Sequence, residues 1–362
     1  MEAAYDPDQR NHQQVIQMTQ TALVIGATGG LGGAVAQAFL AHGWQVRALT
    51  RQPPVAAQLQ PAQAGLKGVE WWVGDAMNQA DVVRAAQGVD CIFHGANPPR
   101  YTRWRELALP MLAHSIEAAR RSGARLIFPG NVYNFGPDAW PVVNEASPQH
   151  PKTRKGAVRV EMEQMLRQAA QTQGVRSLIV RAGDFFGGHA PSSWFSTLMV
   201  KPNRPLRSVT FPGSAEVGHA WAYLPDLALT IVRLAKVQAR LPAFDTFHFA
   251  GHWTPRGIEM AESIRRVSGN PKLPVKALPW WLIYLAAPLV TLLREIIEMR
   301  YLWQVPLRLD NRKLRSVIGE EPHTPLDEAV RQSLWELGCL PAASMCSKES
   351  SISRVSFKSR GL

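Results

Sequence analysis

The run Gly26-Ala27-Thr28-Gly29-Gly30-Leu31-Gly32 lies between an apolar stretch, Ala22-Leu23-Val24-Ile25, and a helical pattern from Leu31 to Ala41. Strand, glycine turn and helix in that order point bare backbone N–H groups at one spot, and side chains there would block an anion's approach. Such a turn grips a diphosphate, so Gly26, Thr28, Gly29, Gly30, Leu31 and Gly32 form the expected cradle for a dinucleotide. At the end of the second strand, where an NAD site usually offers a carboxylate to the ribose 2′-hydroxyl, the chain reads Arg47-Ala48-Leu49-Thr50-Arg51. A guanidinium can hold a 2′-phosphate bidentately, so Arg51 favours NADP(H), with NAD(H) as the alternative. Asp75, just after the third strand, reads either as an acceptor for an adenine amino group or as a turn or helix-capping aspartate. His94-Gly95-Ala96-Asn97 supplies small residues where the backbone can pass close to a cofactor at Ala96.

Residues so far apart meet only if a sheet brings them to one edge, and from Thr21 onward the chain alternates short β-branched runs with amphipathic segments. Strands are expected at Ala22–Gly26, Gln45–Thr50, Glu70–Val73, Cys91–His94, Leu126–Pro129 and Ser177–Val180, with helices such as Leu31–Ala41 and Leu107–Arg121 between them. Six strands would complete an α/β, Rossmann-type doubly wound parallel sheet over residues 21–190. After Gly187 the alternation stops, and prolines mark loops. A smaller lobe over 191–340, interleaved with the first domain, is expected to hold the substrate. Its pieces are a strand at Ala220–Leu224, helices at Pro225–Val237, Pro255–Val267 and Leu326–Leu337, and a strand at Thr246–Ala250. The apolar stretch Leu278–Leu293, with Trp280, Trp281 and Tyr284, is broken by Pro288 and falls short of the ~20 residues that span a bilayer. It reads as a helix buried in the lobe, ahead of a peripheral membrane contact. Residues 1–20 read as a flexible extension and 341–362 as a disordered basic, Ser-rich tail.

Composition narrows the class of function. Of 362 residues, 46% are apolar and 19% charged, which suits one folded body. The formal charge of +12 suits a polyanionic cofactor or acidic substrate as well as nucleic acid. With scattered arginines, no zinc-type cysteine spacing and no aromatic string beside a basic run, nucleic acid is not an expected partner. Cys91, Cys339 and Cys346 are widely spaced and odd in number, which argues for a reducing compartment, the cytoplasm.

The glycine turn, Asp75, His94-Gly95-Ala96, the run Pro129-Gly130-Asn131-Val132-Tyr133-Asn134-Phe135-Gly136 and the run Arg181-Ala182-Gly183-Asp184-Phe185-Phe186-Gly187 follow the order of extended short-chain dehydrogenases/reductases. The chain resembles the NAD-dependent epimerase/dehydratase branch of that superfamily from about Thr21 to Gly338, with Ala220-Trp221-Ala222-Tyr223-Leu224-Pro225-Asp226-Leu227-Ala228 similar to its late strand-and-helix segment. The resemblance implies a Ser or Thr near the fifth strand, and a Tyr and a Lys four apart on the next helix, the Lys lowering the Tyr pKa and binding the ribose. In this chain Asn131 falls at the Ser position, and Lys155 and Arg159 fall at the Tyr and Lys positions. Asn131 can still donate to a carbonyl, and Arg159 can hold ribose hydroxyls. The proton donor is then Tyr133, preferred narrowly, or a Lys155 of depressed pKa. Asp184 matches a position where the family usually has an Asn on the substrate side of the cofactor.

These readings point to an oxidoreductase exchanging hydride between NADP(H) and a small carbonyl, hydroxyl or sugar-like substrate. The replaced catalytic set leaves a second reading open, a dinucleotide-binding regulator without turnover. A homodimer paired through two helices flanking the sheet is the assembly many relatives of the family adopt.

Overall fold

The computed structural model describes residues 19–54, 65–98, 103–188, 190 and 193–341. The expected extension at 1–20, but for its last two residues, and the expected tail at 341–362, but for Pro341, lie outside them. In chain order the elements are β1 Thr21–Ile25, α1 Gly30–Ala41, β2 Gln45–Thr50, β3 Val69–Val73, α2 Gln79–Ala85, β4 Cys91–His94, α3 Trp104–Ser122, β5 Arg125–Asn131, β6 Val142–Val143, α4 Arg154–Gln173, β7 Ser177–Ala182 and β8 Asp184–Phe186. Then follow β9 Val209–Phe211, β10 His219–Tyr223, α5 Leu224–Lys236, β11 Phe244–His248, β12 His252–Thr254, α6 Glu259–Ser268, β13 Val275–Ala277, α7 Trp280–Ala286, α8 Thr291–Glu298, β14 Arg308–Leu309, α9 Arg312–Ile318 and α10 Leu326–Glu336.

The main sheet runs β11-β7-β5-β4-β1-β2-β3, and every pairing in it is parallel. Parallel strands need crossover helices, which cover both faces, so the central strands are apolar throughout: Ala22, Leu23 and Val24 are fully buried. Phe39 of α1, Leu227 and Ile231 of α5 and Leu314 of α9 fill one face; Val82, Leu112, Val158 and Leu166 of α2, α3 and α4 fill the other. Burying each such side chain stabilises the fold by roughly 1.5–3 kcal/mol. Strand order reverses between β1 and β4, and the crevice outside the carboxyl ends of strands at such a switch point is where doubly wound sheets bind ligands.

The sheet has seven strands rather than the expected six. The segment expected as a lobe strand at Thr246–Ala250 is β11, Phe244–His248, and it pairs with β7 along its whole length. Two neighbours explain this placement. The buried Arg125 guanidinium at the start of β5 donates to the carbonyls of Gln238 (3.0 Å), Leu241 (3.1 Å) and Pro242 (2.7 Å), strapping the approach to β11 against the sheet. Beyond it, α5 packs on α1 in the same apolar layer.

The lobe is built on the sheet β12-β10-β8 and the small pair β13-β9, with a core of Phe186, Phe195, Trp221, Met260, Ile264 and Leu334 among others. The Trp-rich segment departs from expectation. No residue of α7 is buried, and Trp281, Leu285 and Leu289 are 68%, 72% and 89% exposed. It is not a core helix of the lobe.

Candidate functional site

The first turn of α1 forms one wall of a cleft of about 560 Å³ at the carboxyl end of the main sheet. Gly29 caps the helix without offering a side-chain oxygen, and the first turn carries no acid. The helix's own first bond is Gly33 N to Gly29 O at 2.8 Å, so the N–H groups of Gly30, Leu31 and Gly32 have no carbonyl partner within the helix. Geometry demands the bare residues here. A Cβ on Gly32 would lie 2.1 Å from the Gly26 carbonyl oxygen, and one on Gly26 would lie 2.7 Å from the Gly95 carbonyl. Gly26 also has φ +92°, a conformation side chains rarely adopt. Turn, helix start and the Gly95 backbone therefore interlock, and together with Thr28 and Leu31 they line the cleft.

The same cleft is bounded by Arg51 at the end of β2, Asp75 after β3, and Ala96 after β4. Arg51 is exposed. Asp75 lines the cleft and holds its own turn, its Oδ1 accepting from Met77 N at 2.9 Å. His94 lies in this wall as well. Its Nδ1 is 2.8 Å from Ser115 Oγ, its Nε2 has no hydrogen-bond partner among the described residues, and burial, helped by the Arg159 charge, pulls its pKa down to about 3. It is a neutral imidazole.

Across the cleft stand Asn131 and Tyr133, at and just beyond the end of β5, and Arg159 on α4. Asn131 Oδ1 accepts from Tyr133 N at 3.0 Å, which sets the turn that carries the phenol. The Arg159 guanidinium lies over the rings of Trp104 (4.9 Å) and Phe128 (5.3 Å) and donates to the Pro129 carbonyl at 3.3 Å, so it is fixed along the wall. Asp184 reaches the cleft from β8, with Oδ2 held 2.8 Å from His219 Nε2, and His219 stacks on Trp303 at 4.0 Å.

Lys155 is not brought to this group. It is 4% exposed and absent from the cleft lining, with Nζ 2.7 Å from Glu295 Oε2, 3.7 Å from Glu298 Oε2 and donating to the Glu295 carbonyl at 2.9 Å. Glu298 further accepts from the Arg154 and Lys155 backbone N–H groups, supplementing the Thr153 hydroxyl that caps α4. The proton-donor role considered for Lys155 thus meets a side chain committed to two carboxylates of α8. Trp104, Ser193 and Trp194 also line the cleft, and no motif in the sequence marks them. Trp104 stood three residues ahead of the expected α3, and its only signal was an aromatic next to a helix start.

A parallel sheet with this strand order, opening on an uncapped glycine turn, defines a dinucleotide-type Rossmann fold. The sequence model of the NAD dependent epimerase/dehydratase family matches residues 22–248, and the chain belongs to that family. Among solved structures it is similar to UDP-glucose 4-epimerase from Bifidobacterium longum in complex with NAD+ and UDP, at 17% identity and TM-score 0.68, covering 89% of this chain and 100% of that one. It is also similar to UDP-glucose 4-epimerase from Brucella ovis in complex with NAD, at 16% identity and TM-score 0.69, covering 88% and 99%. A third is UDP-glucose 4-epimerase from Thermotoga maritima with UDP-glucose, at 16% identity and TM-score 0.67, covering 88% and 98%. No curated protein matches the chain.

Proposed function

We propose that this chain is an oxidoreductase-type enzyme that binds a nicotinamide dinucleotide, NADP(H) before NAD(H). It would exchange hydride with a carbonyl or hydroxyl carbon of a small or sugar-like substrate. The observation that carries the reading is the uncapped start of α1 facing the cleft, where added side chains at Gly26 or Gly32 would strike backbone. N–H groups so arranged suit a diphosphate. NAD+ or NAD in the Bifidobacterium and Brucella epimerases, and the nucleotide sugar in the Thermotoga one, favour a dinucleotide and a sugar-nucleotide-like substrate here too. Arg51 on the cleft wall, with no acid at the end of β2, favours a 2′-phosphate over a bare ribose. The two buried free cysteines, Cys91 and Cys339, fit a reducing compartment such as the cytoplasm.

A nicotinamide group supplies hydride exchange when bound. The residues of the chain would do the rest. Gly29, Gly30, Leu31 and Gly32 would hold the diphosphate by backbone, Asp75 and Ala96 would flank the adenosine end, and Arg159 would hold ribose hydroxyls. Asn131 would donate its amide hydrogen to the substrate oxygen, and Tyr133 would pass the proton to or from that oxygen. Asp184, anchored by His219, would meet the substrate from the lobe side.

The test is direct titration with NADPH and NADH followed by turnover of a carbonyl panel. Replacing Gly29 by Leu is expected to weaken dinucleotide binding by on the order of 100-fold without unfolding the protein. Tyr133→Phe is expected to lower kcat by roughly 100-fold or more with little change in cofactor affinity. Absence of any fluorescence or melting response to either dinucleotide would sink the reading. The burial of Lys155 against Glu295 and Glu298 favours a second reading, a dinucleotide-responsive regulator, whose signature is tight NADPH binding with no turnover.

A further inference from the structure

We propose that the hairpin made by α7 and α8 docks the protein onto an anionic phospholipid surface, lying in the headgroup region without crossing it. This proposal is independent of the hydride-transfer reading. Among the described residues, large apolar side chains are hidden almost everywhere else. Among the described residues nine large hydrophobics are exposed, and six of them lie between Trp281 and Val290: Trp281, Leu282, Tyr284, Leu285, Leu289 and Val290. Scattered apolar residues on a surface are ordinary, whereas a contiguous cluster on one protruding element marks a contact surface.

The cluster is held in place rather than frayed. Trp280 Nε1 donates to the Pro212 carbonyl at 2.8 Å, fixing the start of α7 to the lobe. Arg300 packs over the rings of Trp280 (5.0 Å) and Tyr284 (5.4 Å) and donates to the Tyr284 hydroxyl at 3.0 Å. A helix of seven residues has little stability of its own in water, so these ties keep an apolar tip presented to the outside.

Charge selects the partner. Between Lys272 and Arg300 the chain carries the cations Lys272, Lys276, Arg294 and Arg300 and only two acids, Glu295 and Glu298. Both acids are turned inward, to Arg154 and Lys155 of α4. Lys276 sits on β13 beside β9, and the loop leading into β9 adds exposed Arg204 and Arg207. Lys272, Lys276, Arg294, Arg204 and Arg207 are exposed, whereas Arg300 is half-buried against Trp280 and Tyr284, in a protein of formal charge +12. An exposed aromatic and aliphatic segment flanked along the chain by exposed cations complements a surface of anionic headgroups over hydrocarbon, where Trp and Tyr favour the boundary and each Lys or Arg adds attraction. No helix among the described residues is long and apolar enough to cross a membrane, which is why the hairpin lies on the surface.

The test is flotation of the full-length protein with phosphatidylcholine vesicles, with and without phosphatidylglycerol, at low and high salt. Expected is binding to the phosphatidylglycerol vesicles, weakened by salt. It should drop by roughly tenfold or more in the triple variant Trp281→Ser, Leu285→Ser, Leu289→Ser, whose melting is unchanged. Equal flotation of wild type and variant would overturn the proposal, since the charge of other segments would then suffice. So would equal binding to both vesicle types, or no binding at all. If light scattering showed a lipid-free dimer that the variant abolishes while vesicles leave the wild type in solution, a second copy of the chain would be the partner and the proposal would fall.

Discussion

The two walls of the cleft are made of different materials. The wall at the start of α1 is backbone, shaped by Gly26, Gly29 and Gly32, whose neighbours lie within a few residues or at the adjacent turn of Gly95. The opposite wall is made of side chains, and their supports come from far along the chain. Within it Asp184 meets His219 35 residues away and Arg159 meets the Pro129 carbonyl 30 residues away; outside the cleft lining, Lys155 meets Glu295 140 residues away and Arg181 meets His248 67 residues away. Chain-local backbone geometry resists substitution elsewhere, whereas buried charges and imidazoles are sensitive to protonation and to the loss of any one partner.

The largest expected effect that separates backbone from buried side chains is acid sensitivity. Burial, helped by Arg181 for His248 and by His323 for His252, lowers their pKa values to about 3 and about 4, and His94 in the glycine-side wall is lowered likewise. These imidazoles are neutral in the folded state and take up protons near 6.5 once unfolded. Their stabilisation is complete above that pH and is lost as pH falls from about 6.5 toward 4 for His252 and toward 3 for His94 and His248, by up to about 2 kcal/mol for each histidine between pH 6.5 and 5. Burial raises the carboxyls of Glu145, Glu321 and Glu336, which act in the opposite direction and flatten the lower part of the curve. Melting temperature is expected to be level above pH 7 and to fall through pH 6, with His252→Gln flattening part of the slope. A profile independent of pH over that range would break the comparison.

Next in size is the Lys155 cluster. Lys155→Met would leave Glu295 and Glu298 facing each other without their buried cation, at a cost of about 3 kcal/mol in urea unfolding, partly recovered by adding Glu295→Gln. Dinucleotide affinity should change by less than about twofold, since the glycine-side wall is untouched. Turnover that collapsed while stability held would instead put Lys155 in the chemistry. The smallest effect sharpens the nucleotide side: Arg51→Ala should weaken NADPH by about tenfold and leave NADH nearly unchanged in paired titrations.

The same contrast explains what could be read from the residues alone. The glycine turn, the parallel alternation and the cleft positions of Arg51, Asp75 and Ala96 follow from motifs of short range that each carry their own geometry, whereas those of Asn131, Arg159 and Asp184 come from the family resemblance, and Tyr133 from its place two residues after Asn131. The fate of Lys155 was not legible, because its position on α4 says nothing of two glutamates on α8. The seventh strand was missed for a related reason: Phe244–His248 looks like any lobe strand until the Arg125 strap and β7 are known. The Trp-rich segment misled because apolar content alone does not distinguish a side chain that packs inward from one that protrudes.

The place of β11 in the sheet has a consequence for how the protein can be divided. Everything lining the glycine side is present by Asn97, and Tyr133, Arg159 and Asp184 complete the opposite wall, so a fragment ending near 190 would carry nearly every residue named in the cleft. Yet such a fragment lacks Phe244–His248, and β7, whose six residues are all buried, would have an unpaired edge. A bare, apolar, open strand invites pairing with another chain. The boundary suggested by chemistry and the boundary permitted by hydrogen bonding therefore fall in different places, and cutting at the first would yield a sheet that seeks its missing neighbour in another molecule.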